Sequence, residues 1–107
     1  MIINIKATNT TLTPSIRNYI EEKLGFLDKF LREEEKVRVE IEVDKKRTHE
    51  PPYRAEIDIH PHGHYADARG LDVYAAFDIL LPKIKEQLTR EKDKKVSLRR
   101  RRKSLRE

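Results

Sequence analysis

The chain has no cysteine, only three glycines, and no apolar run approaching the length of a membrane span. Without cysteine there is no disulfide, no thiol nucleophile and no thiolate ligand for a metal, which fits a reducing compartment. A bilayer-spanning helix needs about 20 predominantly apolar residues, so a soluble chain is expected. The opening Met-Ile-Ile-Asn-Ile-Lys lacks the charged start and long apolar stretch of a signal peptide, which points to the cytoplasm. There is also no glycine-rich phosphate loop, no nucleophile set beside a base and no metal motif. Catalysis therefore has no support in the sequence, and no cofactor, metal or small-molecule substrate is expected.

Charge is what the sequence has in abundance. Residues 90–107 hold 10 basic side chains against 3 acidic ones, a net +7, whereas the other 89 residues hold 14 against 16, a net −2. The overall +5 is thus a property of the C-terminal end alone. Such asymmetry suggests a docking arm for a polyanion on a nearly neutral folded body. With 107 residues and 36% apolar content the body is one small domain, with little room for a deep pocket.

Ile3, Ile5 and Ala7 alternate with polar neighbours, as in a short half-buried strand. Thr13 before Pro14 is a helix start, because proline at the first helical position loses only an amide that would be unpaired anyway. The apolar stripe Ile16, Tyr19, Ile20, Leu24, Leu27 and Leu31 predicts a helix to about Phe30 or Leu31, with Arg17, Lys23 and Lys29 on or beside the opposite flank and Gly25 tolerated inside. Val37, Val39, Ile41 and Val43 alternate strictly with charged residues, and Tyr53, Ala55, Ile57 and Ile59 give a second such run. His60-Pro61-His62-Gly63-His64 closes a hairpin to a shorter strand at Tyr65 to Arg69, with Ala66 and Ala68 inward. A long helix then opens at Asp72 and carries Val73, Phe77, Leu80, Leu81, Ile84 and Leu88 on one stripe. Pro82 lies inside it, so we expect a kink with Ile79 to Leu81 distorted rather than a break. The element order is β-α-β-β-β-α, an α+β fold with a four-stranded sheet and two helices packed on one face.

Three histidines at His60, His62 and His64 would share a strand face, but Pro61 and Gly63 make this a hairpin tip and no ligand completes a site. Phe77 lies on the apolar stripe and belongs to the core, and Tyr74 is read as packing against the sheet before stacking on a base. The acidic residues Glu33, Glu34, Glu35, Glu40, Glu42 and Asp44 read as a solvated surface and not as carboxylate chemistry, and they would also repel RNA from that side.

Two segments resemble the ribosome hibernation promoting factor family, also called ribosome-associated inhibitor or ribosomal subunit interface proteins. They are Leu12-Thr13-Pro14-Ser15-Ile16-Arg17-Asn18-Tyr19-Ile20-Glu21-Glu22-Lys23-Leu24 and Asp72-Val73-Tyr74-Ala75-Ala76-Phe77-Asp78, the latter continuing to Gln87-Leu88-Thr89-Arg90-Glu91-Lys92-Asp93-Lys94. The resemblance covers nearly the whole folded part. It implies a fold similar to a double-stranded RNA-binding domain, which binds the small ribosomal subunit and its ribosomal RNA in the channel used by messenger and transfer RNA and keeps idle ribosomes inactive. Counterion release would make such binding steeply salt dependent.

Carried over residue by residue, the family's basic positions fall on Lys23 and Lys29 in the first helix and Lys83, Arg90, Lys92 and Lys94 in the second, with Arg17 also fitting. Glu22, Phe26 and Glu86 stand where many relatives are basic, and Pro82 replaces a usually acidic residue. Lys95 is a further candidate for RNA contact, and the run Arg99, Arg100, Arg101, Arg102 and Lys103 resembles the start of the basic linker that, in longer relatives, leads to a dimerising second domain. The expected organisation is a ribosome-binding domain over residues 1–95 and a basic, flexible tail over 96–107, monomeric unless a second domain follows. Two other functions compete: a module that modulates an alternative sigma factor, and a general binder of double-stranded RNA.

Overall fold

The computed structural model describes residues 1–46, 49–61 and 63–106, with side chains up to Lys94. Its order is β1 (Ile2–Thr8), α1 (Pro14–Lys23), a 3₁₀ helix (Leu24–Lys29), β2 (Lys36–Val43), β3 (Tyr53–His60), β4 (His64–Gly70) and α2 (Val73–Arg106). Both α-helices begin on side-chain caps. The Thr13 hydroxyl accepts from the Ile16 amide at 3.2 Å and the Asp72 carboxylate from the Ala75 amide at 2.7 Å, each satisfying a donor that the first turn leaves unpaired.

The strands form one sheet in the order β1-β2-β3-β4. β1 runs parallel to β2 and the other two pairings are antiparallel. A tight turn cannot join parallel neighbours, so α1 and the 3₁₀ helix make the crossover. Register aligns the inward residues in rows across the sheet, Ile5 beside Val39, Ile57 and Ala66, and Ala7 beside Ile41, Ala55 and Ala68. β4 contributes only alanines to these rows, which lets α2 settle close to it. Val73, Ala76, Phe77, Leu80, Ile84 and Leu88 of α2 close the core from above, joined by Ile20 of α1 and Leu24 and Leu27 of the 3₁₀ helix. Fully burying each large apolar side chain contributes about 1.5–3 kcal/mol.

One expectation about the helices needs correction. The first helix does not continue as α-helix to Phe30 or Leu31, because it tightens after Lys23 into the 3₁₀ turn. Gly25 is a poor α-helix former, and the three-residue repeat places Leu24 and Leu27 on one side, where both are 0% exposed. The second helix runs through Ile79, Leu80, Leu81 and Pro82 without a break, as expected. Pro82 sits on the exposed outer side while Leu80 and Ile84 on either side of it are fully buried. That packing offsets the roughly 3 kcal/mol a mid-helix proline costs. The expected strand at Tyr65 to Arg69 is longer by one residue at each end.

The other face of the sheet is wet and charge-paired. Arg54 reaches Glu56 at 2.8 Å and Asp67 at 3.1 Å, and Arg38 reaches Asp58 at 3.4 Å. Burial alone would pull the Arg54 guanidinium down, but hydrogen bonds to Glu56 and Asp67 outweigh it and hold the group above its ordinary range. Outward Lys6, Lys36, Arg38, Arg54 and Arg69 balance Glu40, Glu42, Glu56, Asp58 and Asp67. A polyanion gains little from this face.

Candidate nucleic-acid interface

Helical geometry sorts the cations of α2. At about 100° per residue, residues two turns apart share a flank, so Lys85 and Lys92 point to one side of the buried stripe and Lys83, Arg90 and Lys94 to the other. The ridge between them is Pro82, Glu86, Thr89 and Asp93, all exposed. The basic residues of α2 therefore form two rows rather than one patch.

The first row faces α1 and the 3₁₀ helix across an open groove of about 520 Å³ lined by Tyr19, Lys23, Phe26, Asp78, Leu81, Pro82 and Lys85. Its cations lie over aromatic rings. Lys23 Nζ is 5.5 Å from the Tyr19 centroid, Lys85 Nζ 6.0 Å from that of Phe26 and Lys92 Nζ 5.7 Å from that of Phe30. At exposed sites such contacts contribute about 0.5–1 kcal/mol and orient the ammonium groups. Phe26 and Phe30 meet edge to face at 6.4 Å. Phe26 thus carries Lys85 above it.

The second row borders β4. Lys83 Nζ donates to the Asp67 carbonyl at 2.9 Å, Arg90 pairs with Glu86 at 2.6 Å, and an open concavity of about 390 Å³ lies among Tyr65, Asp67, Lys83, Glu86, Gln87 and Arg90. Lys94 is exposed on the same flank. Of the remaining expected residues, Arg17 is exposed and sits 3.9 Å from Glu21, and Lys29 is exposed at the end of the 3₁₀ helix. The side chains of Lys95, Arg99, Arg100, Arg101, Arg102 and Lys103 lie outside those described, although the helical backbone runs to Arg106.

Lys85 is the groove residue that sequence reasoning missed. A signal for it was present, since it stands two turns before Lys92 and next to the stripe residue Ile84, but only the interhelical packing shows that this flank faces aromatics. Tyr74 is 38% exposed and packs edge to face on Tyr19 with centroids 4.9 Å apart. His60 lies 2.9 Å from Asp58, and His64 contacts Glu91, tying the start of β4 to α2. His62 lies outside the described residues, and among those described no three metal-ligating side chains come together.

The wall of the groove is fixed by Tyr19, whose hydroxyl donates to the Asp78 carboxylate and so joins α1 to α2. That hydrogen bond, helped by burial and the Asp78 charge, pushes the phenol up to about 12. The folded chain then holds this proton where the unfolded chain, with an ordinary tyrosine near 10, has released it. The contribution is complete below pH ~10 and disappears as pH rises through ~12. Tyr19→Phe should remove the latest phenolate step in an absorbance titration, cost at most about 1 kcal/mol at neutral pH, and flatten the fall in stability between pH ~10 and ~12 in urea melts. An unchanged titration would place the late step on another tyrosine.

Residues 3–96 match the family described as Sigma 54 modulation protein / S30EA ribosomal protein. The ribosome hibernation promoting factor of Klebsiella oxytoca is 33% identical over 96 residues, covering 88% of this chain and 96% of the relative. That of Azotobacter vinelandii is 31% identical over 98 residues, covering 90% and 87%. Among solved structures, the Thermus thermophilus Protein Y N-terminal domain superposes with a TM-score of 0.67 at 29% identity, covering 84% of this chain and 98% of that domain. A ribosomal subunit interface protein from Coxiella burnetii reaches the same TM-score of 0.67 at 20% identity and shares the fold. With the family match spanning nearly the whole folded body, the chain belongs to the Sigma 54 modulation protein / S30EA ribosomal protein family, that of the ribosome hibernation promoting factors.

Proposed function

We propose that this protein is a ribosome-associated hibernation factor, a binding protein and not an enzyme, that enters the messenger and transfer RNA channel of the small subunit and keeps idle ribosomes inactive. The observation that carries this reading is the segregation of charge: exposed cations line both flanks of α2, while the opposite sheet face is paired to neutrality. One side of the molecule is thus suited to ribosomal RNA phosphates and the other is not. Relatives named as ribosome hibernation promoting factors support the assignment to the ribosome. The mechanism is steric. A folded body seated in the channel would exclude the RNAs that use it.

In this reading Arg17, Lys23, Lys29, Lys83, Lys85, Arg90, Lys92 and Lys94 contact RNA from the body at residues 1–95. Lys95, at the end of that body, and Arg99 to Lys103 of the tail at 96–107 extend the contact. The protein acts in the cytoplasm, and no described helix is long and apolar enough to cross a membrane.

Co-sedimentation with purified small subunits tests the proposal. Binding at low salt should weaken steeply as salt rises, and alanine at Arg99 to Lys103 should lower the slope of log K against log salt by up to about 4, near 0.7–0.9 for each phosphate left without its cation. Absence of co-migration at low salt rejects the reading. RNA-independent recovery of RNA polymerase from nuclease-treated lysate would favour the sigma-factor role present in the family's description. Equal affinity for any long RNA duplex would favour a general double-stranded RNA binder.

A further inference from the structure

The two edges of the sheet are finished differently. On the β4 edge the carbonyls of Tyr65 and Asp67 accept from Gln87 Nε2 at 2.7 Å and Lys83 Nζ at 2.9 Å, so side chains of α2 wrap that strand. β1 is the other edge. The Ile2 amide donates to the Glu35 carbonyl at 2.9 Å, with Ile2 in register with Lys36. In a parallel ladder alternate residues direct both backbone groups to the same neighbour. Ile2, Asn4 and Lys6 therefore serve β2, and the N–H and C=O groups of Ile3, Ile5 and Ala7 point away from the sheet.

The side chains of β1 have the same incompleteness. Ile3, Ile5 and Ala7 are half-buried, whereas Val37, Val39 and Ile41 beside them on β2 are 0–1% exposed. Edge strands are usually blunted by prolines, bulges or charged side chains, lysine above all. β1 has no proline, and its one charge, Lys6, stands in register with Glu40 of β2.

We propose that β1 is a self-association edge, pairing antiparallel with β1 of a second copy about a twofold axis at Ile5. The outward groups fix the register. In antiparallel pairing they must fall in hydrogen-bonded pairs, which sets Ile5 opposite the partner's Ile5 and Ile3 opposite the partner's Ala7. The three pairs exchange two bonds each. On the wet face Asn4 then lies opposite the partner's Lys6, whereas a register centred on Lys6 would oppose two ammonium groups. A register centred on Asn4 would draw on Met1, whose amino group is already held by the Glu33 carbonyl at 2.8 Å. The twofold keeps both copies' helices on one side of a sheet of twice the width. The rows of α2 stay free, since α2 packs over the β3–β4 half.

A single seven-residue edge buries less than a standard interface of about 1,600 Å². The dimer is therefore weak, with Kd about 0.1–1 mM, and the dilute chain is monomeric. Sedimentation equilibrium on nuclease-treated full chain from about 10 μM to 2 mM should show the mass rising from 12.7 kDa by at least about 1.5-fold. Ile5→Pro removes only an outward N–H and leaves the β2 ladder intact. It should abolish the rise with the circular dichroism spectrum unchanged. Ile5→Lys, which opposes two ammonium groups across the axis, should do the same and decides the matter if the proline variant does not fold. A mass fixed at 12.7 kDa through 2 mM overturns the proposal, as does a dimer that survives in folded Ile5→Lys.

Discussion

Replacing Lys23, Lys85 and Lys92 together by alanine should weaken binding to small ribosomal subunits by on the order of 100- to 1,000-fold near 0.1 M salt, with the slope of log K against log salt falling by about 3. That size follows from counterion release. A lysine on a phosphate contributes about one to that slope, and one unit of slope is about a factor of ten between 1 M and 0.1 M salt. The aromatic setting makes this row the more effective one. Its ammonium groups lie over Tyr19, Phe26 and Phe30, and a cation–π contact leaves the outer hemisphere of the charge open to a phosphate. On the β4 flank Lys83 already donates to Asp67 and Arg90 is paired with Glu86, so an RNA must break or share those contacts. Alanine at Lys83, Arg90 and Lys94 should therefore cost less, about tenfold. Filter binding of both triple variants across a salt series checks the order, and a larger loss from the β4-flank triple would make that flank the primary contact.

What could be read from sequence was the part fixed by local chemistry. Strict alternation from Val37 to Val43 specifies a half-buried strand, Thr13 and Asp72 cap helices as their side chains allow, and spacing from Val73 to Leu88 draws one buried stripe. Pairing across the sheet adds register to these elements without moving them. The remainder depends on how elements meet. Lys85 and Lys83 are both exposed lysines on one helix, and only the approach of the 3₁₀ helix puts Lys85 over Phe26 and leaves Lys83 beside β4. The tightening at Leu24 is of the same kind, because periods of 3 and 3.6 diverge little over two turns and burial of Leu24 with Leu27 decides between them. The open edge at β1 likewise follows from strand order, which alternation does not encode.

The largest stability loss from a one-carbon change is expected at Gly70. A methyl group there would lie 2.5 Å from the Ala76 nitrogen, 2.9 Å from the Ala75 carbonyl carbon and 3.0 Å from the Ala75 Cβ. Two of these are backbone atoms in the first turn of α2, so no rotamer change relieves the overlap. The helix must move, and with it the Asp72 cap on Ala75 and the packing of Val73, Ala76 and Phe77 against the small residues of β4. Overpacking against backbone costs about 1–3 kcal/mol and sometimes more, so Gly70→Ala should lose about 3 kcal/mol and lower Tm by roughly 12–20 °C. Gly25 provides the contrast. An added methyl group at Gly25 meets nothing within 4 Å, and Gly25→Ala should be neutral or stabilising by up to about 1 kcal/mol through the reduced freedom of the unfolded chain. Urea melts of both variants test the pair, and equal stabilities would mean that α2 shifts on β4 without loss. In that case the rows on α2 would move relative to α1, and subunit binding by Gly70→Ala would report how tightly the groove geometry governs affinity.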